Sequence, residues 1–336
     1  MTRRFPTLLR HPAVRAATVV TLLGALLLPV VPPVAAATSC QVTFTGNATG
    51  SRDVTASLTR FLYNDRGRRL CLKPYGIYRV DGIVRITNQV GLHLNGRNAT
   101  LKAGPSISPT ANRRQLNIEN SRSIVILNLR IRGRNPDYTR WNSSRQHESG
   151  IHIDGGSSIR LDHVSVRDTY GDGIYIGFKD GRLAPPTGVI LYKVSIARTG
   201  RNGIAIVAGN GILVIYSTIT DSSIHAIDLE PDLSTAVVSH VTVQRSSLRR
   251  YGRSGADTGY AFAANGKAGT MSYLKIAGNT SDRFKTTIQN RYGGTHKAIT
   301  FTGNSSTYRA PAYFTNVTGL TFSGNVNITA YRTNVN

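Results

Sequence analysis

The chain has 336 residues, 40% of them hydrophobic, with 41 Lys and Arg against 17 Asp and Glu, a formal net charge of +24. That length allows a large core, and the charge favours anionic partners: uronate or sulfated polysaccharide, teichoic polymers or nucleic acid. Cys40 and Cys71, the two cysteines, make no metal site at their spacing, and beyond residue 37 no segment is apolar enough to span a membrane.

Residues 1–37 read as a secretory leader. Arg3, Arg4, Arg10 and Arg15 form a basic front, Ala17 to Val31 an apolar run, and Val34-Ala35-Ala36-Ala37 a stretch of small residues for cleavage. The run is shorter than a membrane span and contains Gly24 and Pro29. Cleavage lowers the formal charge from +24 to +20. Residues 38–336 then form one exported domain, expected to be a monomer, free of membrane and secreted. In an oxidising compartment Cys40 and Cys71 are expected to pair.

Ser51 to Asn64 is the one convincing helix. Asp53 can cap it, and Val54, Leu58, Phe61 and Leu62 share one face. Strands follow, at Gly76 to Val80, Ile83 to Ile86, Leu92 to Leu94, Leu116 to Ile118 and Ile124 to Ile131. From Gly150 to Pro231 one short strand is written four times, as SGIHIDG, GDGIYIG, RNGIAIVAG and HAIDLEPD. Between the copies lies a second strand type, IRLDHVSV, VILYKVSI and ILVIYSTI. Alternation gives each piece period two, and a unit recurring at this interval marks a solenoid whose rungs cover one another's apolar faces. The expected fold is all-β, a right-handed parallel β-helix of about ten coils, with the helix capping its N-terminal end.

Columns can be written by aligning rungs. In the first strand type an inward column runs Ile153, Ile176, Ile206, Leu229, Phe262, Ile288, Phe314. In the second type it runs Leu129, Val164, Val194, Thr218, Val241, Asn279, Asn304, Asn325, and the last three predict an asparagine ladder. Unequal spacings place loops at Gly133 to Ser149, Gly177 to Gly188 and Gln244 to Thr258. Such insertions gather on a binding face.

The pattern DVTASLTRFL followed by GIYRVDG, the coils GDGIYIG and GRNGIAIVAG, and AIDLEPD resemble the pectate-lyase-like superfamily of secreted parallel β-helices. The resemblance covers roughly Asp53 to Asn325. It implies a polysaccharide as substrate and a groove on the outer face of the first-type strands. The superfamily includes lyases, polygalacturonase-type hydrolases, epimerases and tailspikes, so fold alone does not choose among them. Where polygalacturonases carry Asn-Thr-Asp, a double Asp and Gly-His-Gly, this chain reads His147-Glu148-Ser149, Tyr170-Gly171-Asp172 and Gly200-Arg201-Asn202. One Asp of that set is kept.

On the implied groove the outward column is His152, Tyr175, Ala205, Asp228, Ala261. The column just before it is Ser149, Asp172, Asn202, His225, Thr258, and Asp154 and Glu230 follow the strands. Strands about 4.8 Å apart place Asp172, Asn202 and His225 along a line of about 10 Å. The candidate catalytic set is Asp172, Tyr175, Arg201, Asn202, His225, Asp228 and Glu230. A lyase needs a base and cations beside a uronate, which Arg201, His225, Tyr175 and Lys179 could supply. An inverting hydrolase needs two separated carboxyls. Tyr138, Trp141, Arg140 and Arg145 in one loop, Arg249 and Arg250 in the other, and Lys179 are candidate substrate-binding residues.

The favoured expectation is a lyase acting on an acidic, uronate-containing polysaccharide. The alternatives are a non-catalytic module holding a wall polymer and a polygalacturonase-like hydrolase with a diverged site. No cofactor is expected. Asp154, Asp172 or Asp228 could hold Ca²⁺, but no loop carries a calcium-binding pattern. No aromatic-basic module supports nucleic-acid binding.

Overall fold

The structure, a computed structural model, describes residues 39–105, 113–179, 181–253, 259–266, 268–289 and 296–336. The expected leader and Thr258 lie outside the described residues. Among those described there is one α-helix, Thr55–Asn64, and 29 strands, and every pairing between strands is parallel. The strands stack in three ladders, so each coil contributes one short strand to each. The first ladder includes Ser157–Asp162, Thr187–Tyr192 and Gly209–Ile215. The second includes Arg130–Arg132, Ser165–Thr169 and Ser195–Thr199. The third includes Ile151–Asp154, Ile174–Gly177, Ile204–Ile206 and Ile227–Leu229. Ile151, Ile153, Ile174, Ile176, Ile204, Ile206, Ile227 and Leu229 are fully buried. Period-two alternation thus leaves the intervening positions of the third ladder outside the core.

The helix is shorter than its sequence signal. Thr49–Asp53 is a strand, and the helix starts at Thr55. Asp53 still tethers the start, its Oδ1 accepting from Thr55 N and Asp81 N, both at 3.0 Å. Leu58 and Leu62 are buried in the core, and Phe61 packs on Phe44 with ring centroids 5.2 Å apart. Cys40 and Cys71 are joined, with Cα atoms 5.7 Å apart.

Two columns need correction. Phe262 pairs with Ile227, and it is Ala264 that follows Leu229, so the outward partner of Asp228 is Ala263 and not Ala261. Three positions upstream, His225 is therefore followed by Tyr260 and not by Thr258. The insertion after Gln244 shifts the count by two, which preserves alternation and so hides the slip. In the second strand type the column is Leu129, Val164, Val194, Ser217, Ser246, Asn279, Asn304, Asn325, with Ser217 and Ser246 replacing Thr218 and Val241.

The asparagine ladder is present and is longer than three residues. Val194 N donates to Ser217 Oγ (3.2 Å), Ser217 N to Ser246 Oγ (3.1 Å) and Ser246 N to Asn279 Oδ1 (3.0 Å). Asn279 N then donates to Asn304 Oδ1 (3.1 Å) and Asn304 N to Asn325 Oδ1 (2.9 Å). Each Asn amide also donates backward, to the carbonyls of Val243, Ile276 and Phe301. The residue before each of these positions turns the corner in the left-handed region. Asn128, His163, Lys193, Tyr216 and Arg245 have φ of 50° to 53°, and Gly278, Gly303 and Gly324 have 62° to 63°.

Candidate functional site

Three successive rungs of the third ladder begin with a glycine turn, at Gly150, Gly173 and Gly203. A Cβ on Gly173 would meet Ile196 Cγ2 at 2.5 Å, and one on Gly203 would meet Ile219 Cγ2 at 2.2 Å. Only glycine lets these turns sit down on the core. They stack through Gly173 N to Asn202 O (3.0 Å) and Gly203 N to His225 O (2.9 Å). Asp172, Asn202 and His225 therefore lie one above another, as the sequence columns place them.

Asn202 is the hub. It is fully buried. Its backbone N–H donates to Asp172 Oδ1 (3.0 Å), its Nδ2 to Asp228 Oδ2 (3.1 Å), and its Oδ1 accepts from His225 N (3.1 Å). Arg201, next in sequence, clamps two carboxylates. Nη1 reaches Asp172 Oδ2 at 3.1 Å, and Nη2 reaches Glu230 at 2.7 and 2.5 Å. Asp228 and Glu230, two residues apart on one strand end, lie close enough for each to shift the other's titration. Neighbours of this kind are not the two separated carboxyls that an inverting mechanism needs.

Three carboxyls and one guanidinium cannot all be charged in a site this dry. Burial first, and then the charge of Glu230, raise Asp228 well above the usual carboxyl range. Burial also raises Asp172, with Arg201 pulling it back and Glu230 pushing it up. Burial acts on Glu230 in the same direction, but Arg201 outweighs it and Glu230 stays ionised, below its ordinary value. Within the cluster Asp228 is thus the carboxyl that holds its proton most strongly, and Glu230 the one that Arg201 favours in its ionised form. Side-chain exposure is 19% for Arg201 and 23% for Glu230, while Asp172 and Asp228 are almost covered.

Burial lowers His225 to about 4, so it is neutral near pH 7. Tyr260 N donates to its Nδ1 (3.1 Å), which leaves the ring proton on Nε2. At neutral pH His225 is a hydrogen-bond donor and not a base. Tyr260, absent from the sequence column because of the slip, fixes this tautomer. Tyr175 stacks on His152 at 4.2 Å. His152 Nε2 meets Ser149 Oγ (3.0 Å), and its Nδ1 lies 3.6 Å from Asp154 Oδ2; burial brings this histidine to about 4 as well.

Several residues expected to bind substrate are committed elsewhere. Lys179 Nζ is 2.5 Å from Glu119 Oε1. Arg145 forks onto Glu148 at 2.6 and 2.7 Å and lies 3.4 Å over the Tyr170 ring. Arg250 forks onto Asp221 at 2.8 and 2.7 Å. Arg249 is exposed, but it lies on a second-ladder strand, Ser247–Arg249, and not on the groove. Arg140 is 89% exposed, with Asp137 at 3.7 Å. Trp141 is 47% exposed. Tyr138 O accepts from Ser223 Oγ, and Asn135 Nδ2 donates to Thr169 O (3.0 Å), which pins the loop along the corner between the second and third ladders. No three His, Cys, Asp or Glu side chains among the described residues gather as a metal cage.

The family model "Right handed beta helix region" matches residues 114–306. No curated protein matches the chain by sequence. Among solved structures it is similar to an endo-xylogalacturonan hydrolase from Aspergillus tubingensis, with TM-score 0.59 and 12% identity over 88% of this chain and 96% of that one. A Streptococcus pneumoniae surface protein and adhesin, PfbA, gives 0.58 and 12% over 86% and 94%. An alginate lyase from a Paenibacillus species gives 0.54 and 15% over 88% and 99%. At these identities the likeness is one of fold, and it is shared by a hydrolase, an adhesin and a lyase.

Proposed function

The chain belongs to the family of right-handed β-helix regions, and on that premise we propose that it is a secreted glycan-active protein whose reaction is hydrolysis of a glycosidic bond. The observation that carries this is the buried Asp228 beside Glu230 under the Arg201 clamp, where burial and the charge of Glu230 raise Asp228 well above the usual carboxyl range. A glycosidase needs a proton donor still loaded near neutral pH, and a carboxylic acid kept neutral by burial and a like charge supplies one. The pair delivers its proton to the leaving oxygen through Glu230, its more exposed member. Asp172, raised by burial, is the second carboxyl, available to take the proton of the attacking water. His225 Nε2–H and the Tyr175 ring line the approach.

The lyase expected from the sequence is less well supported. Arg201, its best cation, is saturated by Asp172 and Glu230. His225, its best base, is neutral with Nδ1 engaged. The fold neighbours named for galacturonan and alginate chemistry support an anionic glycan as substrate, as does the net charge. The Cys40–Cys71 bond supports export, with residues 38–336 acting after loss of the leader. One observation favours a second reading, glycan binding without cleavage: Asp228 is only 4% exposed.

The purified protein should be incubated with polygalacturonate, alginate, sulfated glycans and neutral galactans. New reducing ends without the ultraviolet absorbance of an unsaturated uronate are the expected result. Unsaturated product would establish a lyase instead, and retention without cleavage a binder.

A further inference from the structure

The second ladder carries a charge pattern that the carboxylate cluster does not use. Arg79, Lys102, Arg132 and Arg167 are register partners on four successive rungs, all at one outward position. Like charges opposed at strand spacing destabilise a sheet unless something neutralises them. Arg79 has its own carboxylate, Asp81, at 2.6 Å. The rungs of Arg132 and Arg167, beyond that of Lys102, share one. Asp168 takes Arg132 at 3.2 Å, Arg198 at 2.5 Å and, more loosely, Arg167 at 3.8 Å. Arg134 adds a further cation, donating to the Gly104 carbonyl (3.2 Å).

Lys102, Arg132, Arg134, Arg198 and Asp168 line a cleft of about 360 Å³, walled on one side by Tyr138 of the pinned loop. Four cations face one carboxylate there, a local excess of three positive charges. The volume suits one sugar-sized unit. Arg79 and Arg167 continue the column beyond the cleft, so a chain laid along the helix axis meets a cation about every 4.8 Å.

We infer that this cleft is a binding site for the oxyanion groups, carboxylate or sulfate, of an anionic glycan laid along the second ladder. The site complements the carboxylate cluster. That cluster sets three carboxyls against one guanidinium and so disfavours a uronate placed upon it. Arg198 and Arg201 are three residues apart, within about 10 Å, on the two sides of the corner that the Tyr138 loop follows. Acidic units held in the cleft would let a bond between less charged units reach the cluster. The inference shares the glycan partner of the proposed function but not its chemistry, so binding is measured separately from cleavage.

The test is binding of fluorescent heparin and polygalacturonate oligosaccharides to the intact protein, read against salt. Lys102→Glu with Arg134→Glu is the test variant, because neither side chain is in an ion pair among the described residues. Arg309→Glu with Arg332→Glu, exposed residues far along the chain, makes the same change in net charge. The cleft variant should lose at least about tenfold in affinity and show a shallower salt dependence, while the distant variant stays within about twofold and Asp228→Asn binds as the parent does. The favoured oligosaccharide of the two identifies the oxyanion. Equal losses in the cleft and distant variants would overturn the site, leaving diffuse charge as the explanation, and so would no binding by the parent. Full displacement of glycan by duplex DNA at equal phosphate concentration would overturn the glycan assignment. Binding that behaves as expected with no cleavage of any substrate would sink the hydrolase reading alone.

Discussion

The serine–asparagine ladder and the Asp172–Arg201–Glu230–Asp228 cluster are both largely buried and both polar, but the ladder repeats one position through successive rungs and the cluster gathers different positions from three rungs. In the ladder every donor meets a neutral acceptor, and the sum of charges is zero. In the cluster three carboxyls compete for one guanidinium, and burial with the charge of Glu230 raises Asp228 well above the usual carboxyl range. Buried polarity that closes on itself holds a fold together. Buried polarity left with a charge conflict stores a proton, and that distinguishes a site from a strut.

Four experiments would break or sharpen that contrast. Asp228→Asn keeps the shape and the Asn202 contact but removes the shared proton. Cleavage should fall by about 10²–10⁴-fold with little change in the urea midpoint; wild-type rates in this variant would remove Asp228 from the chemistry. Arg201→Ala strands Asp172 and Glu230 without their cation, and a broken buried ion pair costs about 3–5 kcal/mol. Its urea unfolding should shift by that much at pH 7 and by less at pH 4, where the carboxyls can protonate. Asn304→Ala leaves Asn279 N–H without its acceptor, an effect of about 1–3 kcal/mol that should be the same at both pH values. If instead Asn304→Ala proves pH-dependent and Arg201→Ala does not, the contrast is wrong.

The smallest effect concerns His225 and His152, each lowered by burial to about 4 from an ordinary value of 6.5. A histidine depressed in the folded state takes up its proton first in the unfolded chain. Stability from this source is complete above about pH 6.5 and is lost as pH falls from there towards 4. Asp172 and Asp228, raised by burial, act in the opposite sense: their contribution is present at low pH and is lost as pH rises through their folded values. His225→Gln should therefore flatten the slope of stability between pH 6.5 and 4, as followed by denaturant melts. An unchanged slope would mean that His225 titrates alike in both states.

The repeat was legible because parallel coils bury the same positions again and again, and Ile153, Ile176, Ile206 and Leu229 advertise this. Register failed where an insertion moved the count by two, at Phe262, since alternation cannot detect an even shift. It failed also at Ser217 and Ser246, where a hydroxyl does the work that an amide does in later rungs. Among the site residues, Asp172, Arg201, Asn202, His225, Asp228 and Glu230 do come together. Their pairing was not legible, because a salt bridge depends on which carboxylate a long side chain turns towards. Lys179 with Glu119, sixty positions apart, is the plainest case. The cations of the second ladder were readable in YRV, LKA, RIR and VRD, had the outward positions of that ladder been aligned as those of the third were.

The direction of the ladder's bonds has a consequence for how the chain assembles. At each corner from Val194 to Asn304 the backbone N–H of one rung is met by the side chain of the rung that follows it in sequence. A chain emerging from its N-terminus therefore always carries one unmet donor at its growing tip, and each new coil relieves the one before it. Assembly of this kind runs forward like a zip, and removing a coil from the C-terminal side undoes the coil beneath as well as itself.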